Sequence, residues 1–395
     1  MAGDFGIVYP LWNHIADAGG FLDRVAGEVG IDHLTIPVVT GPWTQFRLRL
    51  LPESPYFHTE GGWHYPFNAK LFSALGARPK AAKWFGSKDI LGVVRDRADD
   101  LGLTVYFRLD VPHAATLIAN SSHLRQRNAW GDTYHDSPAC MCNPETRELF
   151  RLTIEDLTRY DPAGFQLFNA RIDLSTPEKG VLAESMEALL NTCFCAGCRQ
   201  ISASVVDPDQ AARSVRADVE KRSSQSTPKS AETEDELNVQ DEPEQQGSVL
   251  RDYDDARDTS VIDWVRKIMK RYPARRFFRS HDVDSLFDRV PPRDLEREPS
   301  TPILRLSLSA VLPLLSGGEQ SGIYESLETL RPHGAVSLPL TSRLETLEAE
   351  QSSFVQMVSR LTAGGATFLD FEQVDTVHPN DLRQLKQAVR YARRS

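Results

Sequence analysis

The chain has 395 residues, 41% of them apolar and 25% charged, with a net charge of −10 and a pI near 5.5. That is enough apolar material for one large domain or two ordinary ones. The acidic balance argues against a nucleic-acid footprint and against anionic-membrane attachment, and no stretch approaches the roughly 18 uninterrupted apolar residues of a membrane span.

The first apolar run, "FGIVYP", follows no basic leader, so a cytoplasmic protein is expected. After it, Phe21, Leu22, Val25, Ala26 and Val29 share one helical face. "HLTIPVV" then reads as a second strand, followed by a long loop and a helix around Ile90, Leu91, Val94 and Ala98. "LTVYFRLDV" is a third strand. The helix opening "NPETRELF" has Asn143 suited to the N-cap, Pro144 to the first turn and Glu145 to the helix dipole. "GFQLFNARI" is the fourth strand, and a helix bearing Val181, Leu182, Met186, Leu189 and Leu190 leads to a run of cysteines.

Residues 207–258 are rich in Glu, Asp, Ser and Gln and poor in aromatic and β-branched residues, which predicts a disordered acidic insertion. Beyond it, "SVIDWVRKIMKRY" is an amphipathic helix; "PILRLSLSAVL", "GAVSLPL" and "ATFLDFEQV" are strands, and "NDLRQLKQAVRYARR" is a closing helix. Apolar strands separated by helices imply a parallel sheet. The expected fold is an α/β (β/α)8 TIM-type barrel with one weak or missing strand, its first part in 1–206 and the remainder in 259–395. A doubly wound sheet is the alternative, but no Gly-rich nucleotide turn follows the first strand.

All five cysteines fall in two clusters, Cys140 with Cys142, and Cys193, Cys195 and Cys198. A cytoplasmic setting keeps thiols reduced, so clustering points to metal ligation rather than disulfides. Cys193, Cys195 and Cys198 supply three ligands of a closed structural zinc site, with Cys142 favoured over Cys140 as the fourth. In a barrel the loops after strands three and four share one rim, so the clusters can meet.

Barrel enzymes carry their chemistry at the strand C-terminal ends. Those ends offer Tyr9, Trp12, Asn13 and His14; Arg108, Asp110 and His113; Asn169, Arg171 and Asp173; and Asp370, Glu372 and Asp375. Charged groups at strand ends also serve as solvated loop residues or structural ion pairs. Asp173, Asp370 and Glu372 are the candidate catalytic carboxyl groups for glycosidic cleavage, which needs two such groups across a cleft. The loop "PYFHTEGGWHYPFN" sets His58, Trp63 and His64 among further aromatic rings, a composition that suits sugar faces and hydroxyls but equally a satellite core.

Together these residues resemble family-42 glycoside hydrolases, the β-galactosidase-like barrels. The resemblance rests on Cys142, Cys193, Cys195 and Cys198, and on Gly164-Phe165-Gln166-Leu167-Phe168-Asn169-Ala170 in the fourth strand. It implies a zinc staple, an oligo- or polysaccharide ligand and a glutamate acid/base after Asn169. Ala170 stands in that place, so the two-carboxylate mechanism does not carry over whole. A hydrolase, a binding-only pseudo-hydrolase and a scaffold using the acidic insertion are all compatible with this pattern, as is self-association.

Overall fold

The computed structural model describes residues 4–17, 20–46, 56–114, 121–133, 137–167, 189–190, 192–225, 244–280, 303–305, 337–341, 355, 358–359, 362, 368–372 and 379–394. In chain order the strands are β1 (Asp4–Val8), β2 (His33–Thr40), β3 (Trp43–Phe46), β4 (Tyr56–Thr59), β5 (Gly62–Trp63), β6 (Thr104–Leu109), β7 (Gly164–Leu167), β8 (Arg276–Ser280), β9 (Ile303–Arg305), β10 (Ser337–Thr341) and β11 (Phe368–Glu372). The helices are α1 (Trp12–Asp17), α2 (Gly20–Arg24), α3 (Ile90–Asp100), α4 (Val111–Ala114), α5 (Pro144–Leu157), α6 (Ala196–Ser202), α7 (Pro208–Gln225), α8 (Glu244–Arg271) and α9 (Pro379–Ala392).

The parallel strands build one curled sheet, ordered β1-β11-β10-β9-β8-β7-β6-β2, and β2 pairs in turn with β1. Strand β5 adds an antiparallel edge to β2, while β3 and β4 form a separate hairpin. The strand absent from the sequence reading is β8, "RFFRS". It follows α8 directly, and Arg276 and Arg279 break its apolar run, so it reads as the basic end of the helix. Phe277 nevertheless packs on Phe165 at 5.6 Å between ring centroids, and Arg276 faces Asp4 at 3.7 Å.

Alternation along the strands divides the core in two. Phe5, Ile7, Leu34, Ile36, Val38, Phe107, Leu109, Phe165, Leu167, Leu369 and Phe371 join one large apolar cluster with the helices. The intervening positions bond across the interior, because β2, β7 and β11 are not neighbours yet touch through side chains. The carboxylate of Asp370, wholly buried, accepts from Thr35 Oγ1 at 3.0 Å and Gln166 Nε2 at 2.7 Å and pairs with His33 Nε2 at 2.9 Å. Below it, His33 stacks on Phe368 at 3.9 Å and meets Tyr106 edge-on at 5.5 Å. On β1, the strand between β11 and β2, this filling leaves room only for glycine: a Cβ on Gly6 would lie 2.1 Å from the His33 ring.

Part of the acidic segment is helical where disorder was expected, while its residues 226–243 lie outside the described residues. Residues 208–225 and 244–258 lie in α7 and α8, where Ala211, Ala212, Val215, Tyr253 and Arg257 are buried. Average composition conceals this, because one helical face holds small or unusual core residues while the rest is highly charged. Elsewhere local signals hold: Asn143 Oδ1 caps α5 by accepting from Glu145 N at 2.9 Å, and Asp89 caps α3 through Gly92 N at 3.0 Å. Among the described residues no helix is long and apolar enough to cross a membrane.

The crowding at Gly6 gives a direct test. Gly6→Ala is expected to lower unfolding free energy by about 1–3 kcal/mol in denaturant titrations. Combining it with His33→Ala should cost less than the sum of the two single changes.

Candidate functional site

The turns after β1 and β2 carry an aromatic cluster centred on Trp12. Its indole Nε1 donates to Gln45 Oε1 at 2.5 Å, and its ring stacks on Phe57 at 5.1 Å. Trp43 and Trp84 meet it edge-on at 5.3 and 6.0 Å. The hairpin positions these groups: Gln45 lies opposite Phe57 in the β3–β4 register, and Trp43 shares a face with Gln45 by strand periodicity. Trp12 is buried, whereas Trp43, Phe57 and Trp84 are half-buried and Tyr56 is exposed. The cluster therefore keeps apolar ring surface in contact with water.

A chain of hydrogen bonds fixes the cluster to the rim. Trp84 Nε1 donates to His64 Nδ1 at 2.8 Å; His64 Nε2 reaches Thr40 Oγ1 at 2.8 Å, and Thr40 in turn donates to the Gly41 carbonyl at 2.8 Å. Only the neutral Nε2–H tautomer satisfies all three bonds. Burial lowers the His64 pKa to about 3, consistent with that neutral form. Gly61, at φ +80°, lets the hairpin return close to this turn, since a Cβ there would lie 2.4 Å from the Gly41 carbonyl oxygen.

Beside the turn, His113 Nδ1 bonds Asp110 Oδ1 at 2.8 Å. Asp110 N donates to the Val39 carbonyl at 2.9 Å, and a Cβ on Gly41 would lie 3.0 Å from His113 Cβ. Asp110 thereby orients the imidazole at the rim, as carboxylate partners of histidine commonly do. Arg108, two residues earlier on β6, is buried. A carboxylate–imidazole pair next to half-exposed aromatic rings can bind a polyhydroxylated ligand and move a proton at its edge.

The other expected site residues scatter. Tyr9 is buried and stacks on Phe21 at 6.5 Å, inside the core. Trp63 is buried and donates to Thr153 Oγ1 of α5 at 3.2 Å, away from the rim cluster. His58 is exposed on the hairpin and pairs with Thr44 Oγ1 at 2.9 Å. Asp370, expected as a catalytic carboxylate at a strand end, is instead the fully buried acceptor of the barrel interior. Glu372 ends β11 opposite Thr341. Asn169, Ala170, Arg171, Asp173 and Asp375 lie outside the described residues. The sequence reading missed Trp43, Gln45 and Trp84, although the alternating "WTQF" after Gly41-Pro42 already has strand periodicity.

The thiols converge. One sulfur each from Cys140, Cys193, Cys195 and Cys198 lies within 4.8 Å of the others, all buried, with Cys140 and Cys198 at 3.3 Å and Cys193 and Cys140 at 3.8 Å. Cys140 therefore takes the fourth position that spacing had favoured for Cys142. In a Cys-x-Cys turn both thiols can point inward, and Cys142 stays beside the group, its amide donating to Cys140 Sγ at 3.4 Å. Hydrogen bonds from the Cys140 and Cys198 thiols, helped by Arg257 and Arg147, lower the Cys142 pKa to about 4. No disulfide forms among the five. Four buried thiols at this spacing fit a tetrahedral thiolate metal site.

No family model matches the sequence, and no curated protein sequence matches it either. Among solved structures, the chain aligns over 99% of its length with the β-galactosidase from the psychrophilic Marinomonas ef1, at TM-score 0.53 and 9% identity. With the β-galactosidase from Bacillus circulans sp. alkalophilus it aligns over 98%, at TM-score 0.54 and 10% identity. At these identities the likeness is one of fold alone. The chain spans 59% and 55% of those two proteins, less than two thirds of either.

The buried imidazole predicts a pH signature. His64 has a folded pKa of about 3, below the ordinary 6.5, so the unfolded chain takes up the proton first as pH falls. Its contribution is complete above pH 6.5 and is lost between there and about 3, at up to about 1.4 kcal/mol per pH unit. In urea titrations across this range, His64→Gln should show a shallower acid decline than the parent; parallel declines would contradict the assignment.

Proposed function

We propose that the protein is a glycoside hydrolase-like barrel that takes an oligo- or polysaccharide across the rim formed by Trp43, Phe57, Trp84, Asp110 and His113. One observation carries the reading: half-exposed aromatic rings lie beside a carboxylate–imidazole pair, at the strand ends where barrels of this kind hold ligands. Pyranose rings present apolar faces to aromatic side chains and hydroxyls to polar neighbours, which is the chemistry this rim offers. Similarity in fold to β-galactosidases supports the same class of ligand.

Hydrolysis requires an acid and a second carboxyl group, about 5–5.5 Å apart for retention or 6.5–9.5 Å for inversion. Asp110, Asp173 and Glu372 are the groups we assign to that role, with Arg108, Asn169 and Arg171 as ligand contacts; Asp370 is withdrawn from it. Ala170, standing where the resemblance implies a glutamate, favours a second reading in which the barrel binds the glycan without cleaving it. The scaffold reading loses its disordered arm over 208–225 and 244–258, because those residues fold.

We further read the quartet of Cys140, Cys193, Cys195 and Cys198 as a structural zinc site. Closed tetrathiolate sites of this kind hold loops together rather than binding substrate, and reduced thiols suit a cytoplasmic setting.

Two measurements test these readings. On a glycan panel, the parent should bind at least one oligosaccharide, with Trp43→Ala weakening it about tenfold while circular dichroism is unchanged. Cleavage that disappears in Asp110→Asn and Glu372→Gln supports the hydrolase; binding without cleavage supports the second reading, and no binding refutes both. Purified protein should contain about one zinc per chain, lost in Cys195→Ser; a metal-free parent of normal stability would refute the zinc site.

A further inference from the structure

Helix α8, which composition placed partly in a disordered insertion, packs on one cysteine loop directly and is bridged to the other through Arg147. Tyr253 Oη donates to the Cys193 carbonyl at 2.9 Å, and its ring stacks on Phe194 at 4.8 Å. On the other loop, Arg147 Nε donates to the carbonyl of Met141, between Cys140 and Cys142, at 2.6 Å. The same guanidinium donates to Ser260 Oγ of α8 at 3.0 Å.

On this helix lies Arg257, only 1% exposed, bonded to Asp254 at 2.6 Å and 5.2 Å from the Tyr253 ring centroid. Arg257 follows Tyr253 by one helical turn, and so shares the face of α8 that packs on the cysteine loop. A guanidinium does not give up its proton, so burying it is costly unless negative charge lies close by. Four thiolates around a divalent cation carry a net charge of −2, and such a site in turn needs cations and donors in its outer shell. Both requirements are met at the same place, on the same helix.

We propose that α8 is docked by the charged metal–thiolate centre through Arg257, so that metal occupancy and the ordering of residues 244–271 are one linked equilibrium. The proposal rests on the metal reading of the quartet. Linkage makes it reciprocal: metal holds the helix in place, and the docked helix tightens the metal. Arg257 is a positioning residue here and contributes no ligand atom.

The experiment uses the full zinc-loaded chain. Zinc affinity is measured by competition with a chromogenic chelator for the parent, Arg257→Met and Arg257→Lys. Loss of the charge should weaken binding about 10–100-fold, with lysine restoring part of it. In parallel, hydrogen exchange is followed with and without chelator. Metal removal should accelerate exchange in 244–271 while β1 and β2 remain protected. Parent-like affinity in Arg257→Met, or unchanged exchange in 244–271 on metal removal, would overturn the proposal. If Arg257→Met does not fold, the exchange result on the parent decides alone. A parent that holds no metal defeats the metal reading and this proposal together; a parent that holds metal with an unresponsive helix defeats only the proposal.

Discussion

A carboxylate cut off from water must be given hydrogen-bond partners by the chain itself, and Asp370 draws its partners from β2 and β7 across the barrel interior. His33, Thr35 and Gln166 each contribute one group, and Gln166 also donates to Thr35 at 3.1 Å. Removing any member leaves a buried polar atom without its partner, so the set acts as a unit. It fixes strand register as well, because a one-residue slip would turn Asp370 outward among the apolar residues beneath the helices. Gly6 follows from the same constraint: the His33 ring occupies the space that a side chain on β1 would need.

This interior layer also determines where chemistry can occur. Asp370 is wholly enclosed by its partners, and the groups that meet solvent lie one level higher, on the turns after β1, β2 and β6. There the linkage from Trp84 through His64 and Thr40 to Gly41 holds aromatic rings and the Asp110–His113 pair in a common frame. The thiol quartet brings residues from the loops following β6 and β7 into one buried cluster.

Much of this was legible in the sequence where a local rule has a single outcome. Asn143-Pro144 announced a helix start, short apolar runs announced most strands, and the C-x-C-x-x-C spacing announced a thiol site. The misses occur where one-dimensional information has two outcomes. Cys142 was favoured because it lies next to the Asn143 cap, yet Cys140 is only two residues away, and the packing of their turn selects Cys140. Asp370 and Glu372 both belong to the last strand, yet depth along the barrel makes Asp370 an interior group. In α8 the buried positions Tyr253, Arg257, Val261, Trp264, Val265 and Ile268 repeat at helical spacing, but the first two fall in text whose average is acidic and polar. Strand β8 was hidden by its arginines, of which Arg276 faces Asp4 at 3.7 Å.

The pairing of His33 with Asp370 joins groups 337 residues apart, which has a consequence for how the chain acquires its structure. Contacts of such separation form late and slowly, since a long loop must close before they contribute. During synthesis the donors on β2 and β7 emerge well before their acceptor, and until β11 arrives they face an unfinished interior. Until β11 is made the sheet cannot close between β1 and β10, and the edges of any sheet formed before then would be open to pairing with other strands.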